Sequence, residues 1–171
     1  MYQSATSLFR DSLMPYCKGY GIDIGFGGDK ICPSAIGIDL PIPYAETGTD
    51  PVQIGCDASQ LPFKDESLDY VYSSHLLEDF ENTVEVLKEW LRVIKPGGNL
   101  ILLLPDELKY RTYCTSRGEG RNEHHTVIMN FDYLITCINC TGYKYELIYH
   151  SGIINEFHFA AAIKKASGLR E

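Results

Sequence analysis

Residues 21–28, Gly21-Ile-Asp-Ile-Gly-Phe-Gly-Gly28, constrain this chain more than any other stretch. A short apolar strand ends on an acid and runs at once into a glycine-dense turn. Glycine there permits positive φ and leaves the backbone bare for the close approach of a ligand. A turn of this kind, at the carboxyl end of the first strand, is where doubly wound α/β sheets bind their ligands. The rival reading is the dinucleotide fingerprint Gly-x-Gly-x-x-Gly. Counted from Gly25, its third glycine falls on Lys30. The fingerprint fails there, which leaves an NAD-dependent oxidoreductase on a similar sheet as the weaker alternative.

Strands and helices alternate along the rest of the chain. Residues 3–14, with Leu8, Phe9 and Leu13 apolar, read as a short amphipathic helix. Strands are expected over 19–24, 35–40, 52–56 and 68–73, with Pro41, Pro43, Gly48 and Pro51 marking a loop between the second and third. Over 82–94, Val84, Leu87, Leu91 and Ile94 fall on one helical stripe, and Lys95-Pro-Gly-Gly98 ends it. Asn99 to Leu104 is a continuous apolar strand of the kind covered on both faces. Residues 105–128 are polar and read as a long loop. Asn130 caps a further helix that Gly142 terminates, and 143–150 and 155–163 form a closing pair of strands with no helix between them. The expected fold is α/β: a doubly wound, mostly parallel seven-stranded sheet with an antiparallel C-terminal hairpin.

Polar groups end successive strands on one rim. Asp39 ends the second, and its acceptor-only carboxylate suits two vicinal hydroxyls. Asp57-Ala58 ends the third beside Leu61-Pro-Phe63, a carboxylate next to an apolar wall, although Asp57 also suits a cap for the turn at Ser59-Gln60. Ser73-Ser74-His75 ends the fourth. This order, Asp23-Ile-Gly25-Phe-Gly27, Gly37-Ile-Asp39, Asp57 to Phe63, Leu68 to His75 and Leu91 to Gly98, resembles the class I S-adenosylmethionine-dependent methyltransferases closely over residues 19–105.

The resemblance implies S-adenosylmethionine as cofactor. Gly25 and Gly27 would line its methionine part, with Asp23 fixing that loop and the amino group. Asp39 would bind the ribose hydroxyls, Asp57 and Ala58 the adenine, and Ser73 would supply backbone near the sulfonium. Two departures stand out: Asp29 where the family often has glycine, and a stretch from Gly27 to Asp39 too short for a full helix. Lys30-Ile-Cys-Pro33 reads as a clipped turn. A non-catalytic module that only binds the cofactor is the alternative this turn favours.

A sulfonium is an activated donor, so the protein's main task is to place the acceptor in line with the methyl carbon. An oxygen or amine acceptor calls for a base with a pKa near the working pH, and histidine meets that need. The candidates are His75 at the rim and His124 and His125 in the long loop, with Tyr110 and Tyr113 nearby. Cys137-Ile-Asn-Cys140 is a lone C-x-x-C inside an apolar helical pattern, and no metal site is expected from it.

Length and charge bound the partners. The chain has 171 residues, the size of one domain, so residues 1–171 are expected to form a single methyltransferase domain with no separate lid. Either short segments then leave an open pocket, or a second copy of the chain closes it as a homodimer. The net charge of −8 speaks against nucleic acid and favours a small neutral or cationic acceptor such as a sugar or another metabolite. The tetrapeptide Ser73-Ser74-His75-Leu76 also lacks the Asn-Pro-Pro-Tyr pattern of nucleic-acid methylation. Arg10 and Asp11 interrupt the only apolar stretch near the start, which argues against a signal peptide. The apolar run Leu100–Leu104 is far short of the ~18–20 residues that span a bilayer. With six cysteines embedded in apolar patterns, the expected location is a reducing cytoplasm.

Overall fold

The computed structural model describes residues 4–43 and 47–169. In chain order these form α1 (Ala5–Leu13), β1 (Gly21–Ile24), β2 (Ile36–Asp39), β3 (Ile54–Gly55), β4 (Leu68–Ser74), α2 (Thr83–Val93), β5 (Ile94–Pro105), α3 (Glu107–Arg117), α4 (Phe131–Cys140), β6 (Tyr143–Ile154) and β7 (His158–Leu169). The strands make one seven-stranded sheet in the order β3-β2-β1-β4-β5-β7-β6. β1 to β5 pair in parallel, and β7 runs antiparallel between β5 and β6. The expected sheet and its C-terminal hairpin are both present. β1 lies between β2 and β4, where the strand order reverses, so the carboxyl ends of β1 and β4 border the crevice that such sheets use for ligands.

Two layers cover the sheet, and the period-two alternation of β5 shows it. Leu100, Leu102 and Leu104 pack into the core under α2 and α4, while Ile101 and Leu103 join Leu13, Tyr70 and Tyr72 under α1. The stripe of α2 is broader than its spacing suggests: Val86 and Trp90 are fully buried, and Val84 only partly. In α1 the buried residues are Thr6 and Leu13, whereas Leu8 is exposed.

Four boundaries differ from expectation. β3 shrinks to two residues. Lys95-Pro-Gly-Gly98 is not a turn that separates helix from strand but an irregularity within β5, where the ladder jumps from Leu68↔Ile94 to Tyr70↔Asn99. Proline has no N–H to give a ladder, and Gly97 sits at φ 85°, so the strand bulges there and resumes. The stretch 105–128 is not one loop, because α3 occupies its first half. Asp106 caps α3 through Lys109 N–H, and Gly118 ends it in a left-handed conformation. β6 runs on to Ile154, so residues 155–157 are the hairpin turn rather than strand, with Asn155 and Glu156 at φ 43° and 73°.

No helix separates β1 from β2, as the short spacing implied. The segment is held instead by side chains. Asp23 accepts the N–H of Ile31, and Asp29 accepts from both Ser4 Oγ and Arg10, which ties the start of α1 to the clipped turn. Part of the expected 41–51 loop, residues 44–46, lies outside the described residues. Among those described, no helix is long and apolar enough to cross a membrane.

Candidate active site

A cavity of about 1180 Å³ opens over the carboxyl ends of the central strands. One end is walled by Gly25, Asp39, Asp57 and Ala58. Gly25 has φ 67°, so any side chain there is strained, and its Cβ, 2.7 Å from the Leu76 side chain, would push that leucine aside. Asp39 braces the turn: Oδ2 accepts from Gly27 N–H at 3.0 Å and Oδ1 from Leu40 N–H at 2.8 Å. Asp57 makes the cap that its sequence context allowed, accepting Ser59 N–H at 2.7 Å, while remaining exposed on the cavity wall. Ala58 is fixed from below, because the buried indole of Trp90 donates to its carbonyl at 2.8 Å.

The other expected rim residues stand behind that wall. Asp23 is fully buried, and burial raises its carboxyl well above the usual range despite the Ile31 N–H. Ser73 is buried and donates to the Ile24 carbonyl at 3.1 Å. Gly27 is covered by the loop after β2, whose Thr47 and Gly48 N–H groups both donate to its carbonyl. Gly28 and Gly48 meet back to back, so that a Cβ on Gly48 would lie 2.1 Å from the Gly28 oxygen.

The opposite end of the cavity is aromatic and titratable. His75 follows β4 with φ 51°, an unusual conformation for a non-glycine residue and one found where a site imposes it. Its N–H donates to Leu103 O at 2.9 Å, and burial, reinforced by His125, pushes its imidazole down to about 4. Glu78, in the short turn 77–79, is 0% exposed, and burial pushes it up to about 8. His125, whose side chain is 4% exposed, stands between two carboxylates: Nδ1 is 2.8 Å from Glu107 Oε2, and Nε2 is 3.6 Å from Glu78 Oε1. The Tyr110 ring lies 5.0 Å from His125, and Tyr113 lies 4.9 Å from Phe157. His124 is exposed on the cavity wall, its N–H bonded to the Asn122 side chain.

Folding therefore brings His75 and His125 together, with His124 further out. It adds Glu78, Glu107, Phe157 and His158, none of which the sequence singled out. Glu78 stands three residues after His75 and was within reach of a spacing argument. Glu107 and Phe157 come from distant elements and carried no local signal.

The family model described as "Methyltransferase domain" matches residues 13–102, more than half of the chain. The chain belongs to the class I S-adenosylmethionine-dependent methyltransferases. The sterol 4-C-methyltransferase strm-1 of Caenorhabditis elegans is 30% identical over 80 residues, 47% of this chain and 22% of that protein. A demethylmenaquinone methyltransferase of Bacillus cytotoxicus is 45% identical over 47 residues, 28% of this chain and 20% of that one. This methyltransferase thus spans only a fifth to under a half of the curated relatives it matches. A SAM-dependent methyltransferase structure from Archaeoglobus fulgidus superposes with a TM-score of 0.66 at 16% identity, covering 94% of this chain and 92% of that one, which is a likeness of fold.

The methyltransferase's rim suits the family's cofactor. Gly25 leaves backbone where a side chain would intrude, and Asp39 presents acceptor lone pairs beyond the two that the backbone uses. Cys56, Ala58 and Phe80 give an apolar flank for a heterocycle. The cavity exceeds the usual ~300–1,000 Å³ of a single ligand site, enough for donor and acceptor side by side.

Proposed function

We propose that this methyltransferase moves the methyl group of S-adenosylmethionine to an oxygen or nitrogen of a small neutral or cationic molecule, a sugar or another metabolite. One observation carries the reading: a single cavity joins the Gly25–Asp39–Asp57 rim to the His75–His125–Tyr110 wall. The cofactor supplies an activated methyl group. Gly25 and Gly27 form its backbone cradle, with Asp23 behind them holding the turn. Asp39 takes the ribose hydroxyls, and Asp57 and Ala58 flank the adenine. Ser73 sets the backbone at the end of β4.

The wall orients the acceptor and excludes water. His75, His124 and His125 are the candidates for a base, and burial, which holds the His75 imidazole down at about 4, makes His75 the weakest of them in the empty cavity. Glu119, Glu123 and Glu156 line the mouth with Arg117, which is itself 3.7 Å from Glu156, and this acidic balance favours neutral or cationic molecules over polyanions. The relatives' sterol and demethylmenaquinone names belong to matches that cover a minor part of each protein, so acceptor choice rests on this chain's own wall. The reading extends to one domain over 1–171, a reducing cytoplasm for its six free cysteines, and a second copy of the chain across the open mouth.

Isothermal titration with S-adenosylmethionine and S-adenosylhomocysteine tests the reading. Binding of both is expected, and turnover then follows from a panel of small hydroxyl and amine acceptors. Absence of heat with either, at protein concentrations well above micromolar, overturns it.

A further inference from the structure

We infer that His75, Glu78 and His125 form a divalent-cation site, with zinc as the preferred ion, at the acceptor end of the cavity. This departs from the expectation that the chain holds no metal, which weighed only Cys137 and Cys140 with His124 and His125 to complete a site. Cys137 and Cys140 have no part in it: Cys137 packs in the α2–α4 core.

The donor atoms are already gathered. One from each of the three residues lies within 4.8 Å of the others. The Glu78 carboxylate is completely buried, and neither of its oxygens has a hydrogen-bond partner. His75 Nδ1 stands 3.4 Å from Glu78 Oε1, and His125 Nε2 stands 3.6 Å from the same atom. Those gaps exceed a hydrogen bond. Each of these two gaps is close to the roughly 3.4 Å between tetrahedral zinc ligands with bonds of about 2.1 Å, and all three donors lie within 4.8 Å of one another. Two imidazoles in the donor set disfavour magnesium, which takes oxygen ligands.

A supporting layer is present too. Glu107, with its side chain 3% exposed, receives His125 Nδ1 at 2.8 Å and is itself held by Arg111 Nε at 2.7 Å. That contact fixes the proton on Nδ1 and turns the lone pair of Nε2 toward Glu78. With Glu78 ionised, two acceptors face each other across 3.6 Å, and a cation between them satisfies both. A carboxylate behind a metal-binding imidazole does this in many zinc sites. Two histidines and one carboxylate leave the fourth position open, and both histidines line the cavity. There the ion would polarise a water or an acceptor oxygen, a role that rests on the proposed methyl transfer, whereas the site itself does not.

The test is metal binding by the full chain. After chelator treatment and dialysis against zinc chloride, mass spectrometry should find one zinc per chain. Glu78→Gln and His125→Ala should each lose it while keeping the native circular dichroism spectrum, and Glu107→Gln should weaken it by about 10- to 100-fold. Cys137→Ser should bind as the wild type does. Cobalt in place of zinc should show tetrahedral visible bands without thiolate charge transfer. No retained metal, retention unchanged in both ligand variants, or thiolate bands would overturn the site. Cofactor titration of the metal-free protein separates the two ideas: heat without metal retention defeats only the cation site, and metal retention without heat defeats only the methyl-transfer reading.

Discussion

Asp23 Oδ2 accepts the backbone N–H of Ile31 at 2.6 Å, and that bond stands in for the helix absent between β1 and β2. Its other oxygen is buried without a partner. Asp23→Ala should strand the Ile31 N–H and cost about 1–3 kcal/mol in chemical denaturation. Asp23→Asn keeps an acceptor and removes the charge, so it should retain wild-type stability or gain. The pH dependence has a definite sign. The folded-state pKa is raised, so the native protein holds a proton that the unfolded chain gives up. Stability from this group is complete below the ordinary carboxylate range and declines as pH rises through the folded value. Denaturation curves across pH should show that decline in the wild type and a shallower one in Asp23→Asn.

Gly48→Ala would place a Cβ 2.1 Å from the Gly28 carbonyl, with main chain on both sides and no flexible group to yield. The loop must lift off the glycine turn. We expect a lower thermal midpoint, by roughly 1–3 kcal/mol of stability, and weaker S-adenosylmethionine binding. Gly120→Ala, with open space around it and no positive φ, serves as the neutral control for stability. Thermal melts with and without cofactor check both.

Asp39→Ala removes an acceptor from Gly27 N–H and from the proposed ribose contact together. The expected loss of cofactor affinity is about 10- to 100-fold by titration, from hydrogen bonds to a charged group worth ~1.5–3 kcal/mol. Unchanged affinity would remove Asp39 from the binding role and leave it as a brace for the turn.

Trp90→Phe keeps most of the ring in the core and deletes one N–H. The Ala58 carbonyl loses its 2.8 Å donor, so a cost of about 1–3 kcal/mol is expected. Cofactor affinity should fall as well, because Ala58 is wall while Trp90 lies beneath it. Equilibrium denaturation and titration of the same variant read the two effects.

The sheet was legible, and so was the gathering of Gly25, Asp39, Asp57 and Ala58 on one cavity wall, because their signals are local: apolar runs of the right length, glycines directly after a strand, acids at strand ends. α3 was not, since it buries Glu107 and Cys114 rather than an apolar stripe. Its end signals, Asp106 and Gly118, were in the sequence but stood against a polar composition. The partners of His125 were illegible for another reason. Glu78 and Glu107 reach it from a turn after β4 and from the start of α3, and only tertiary folding sets those distances. Asp29, a departure by family pattern, turns out to anchor α1 through Arg10 and Ser4.

The cavity's two ends come from different stretches of chain. Gly25, Asp39, Asp57 and Ala58 build the rim proposed for the cofactor, and residues 107–158 build most of the opposite wall, including the hairpin turn at Asn155–Phe157. His75, at the end of β4, is the hinge stone between them. If methyl transfer runs as proposed, changes in α3 or the hairpin tip would retune what is methylated without disturbing how the donor is gripped, which makes this wall the natural target for redirecting the enzyme to a new acceptor.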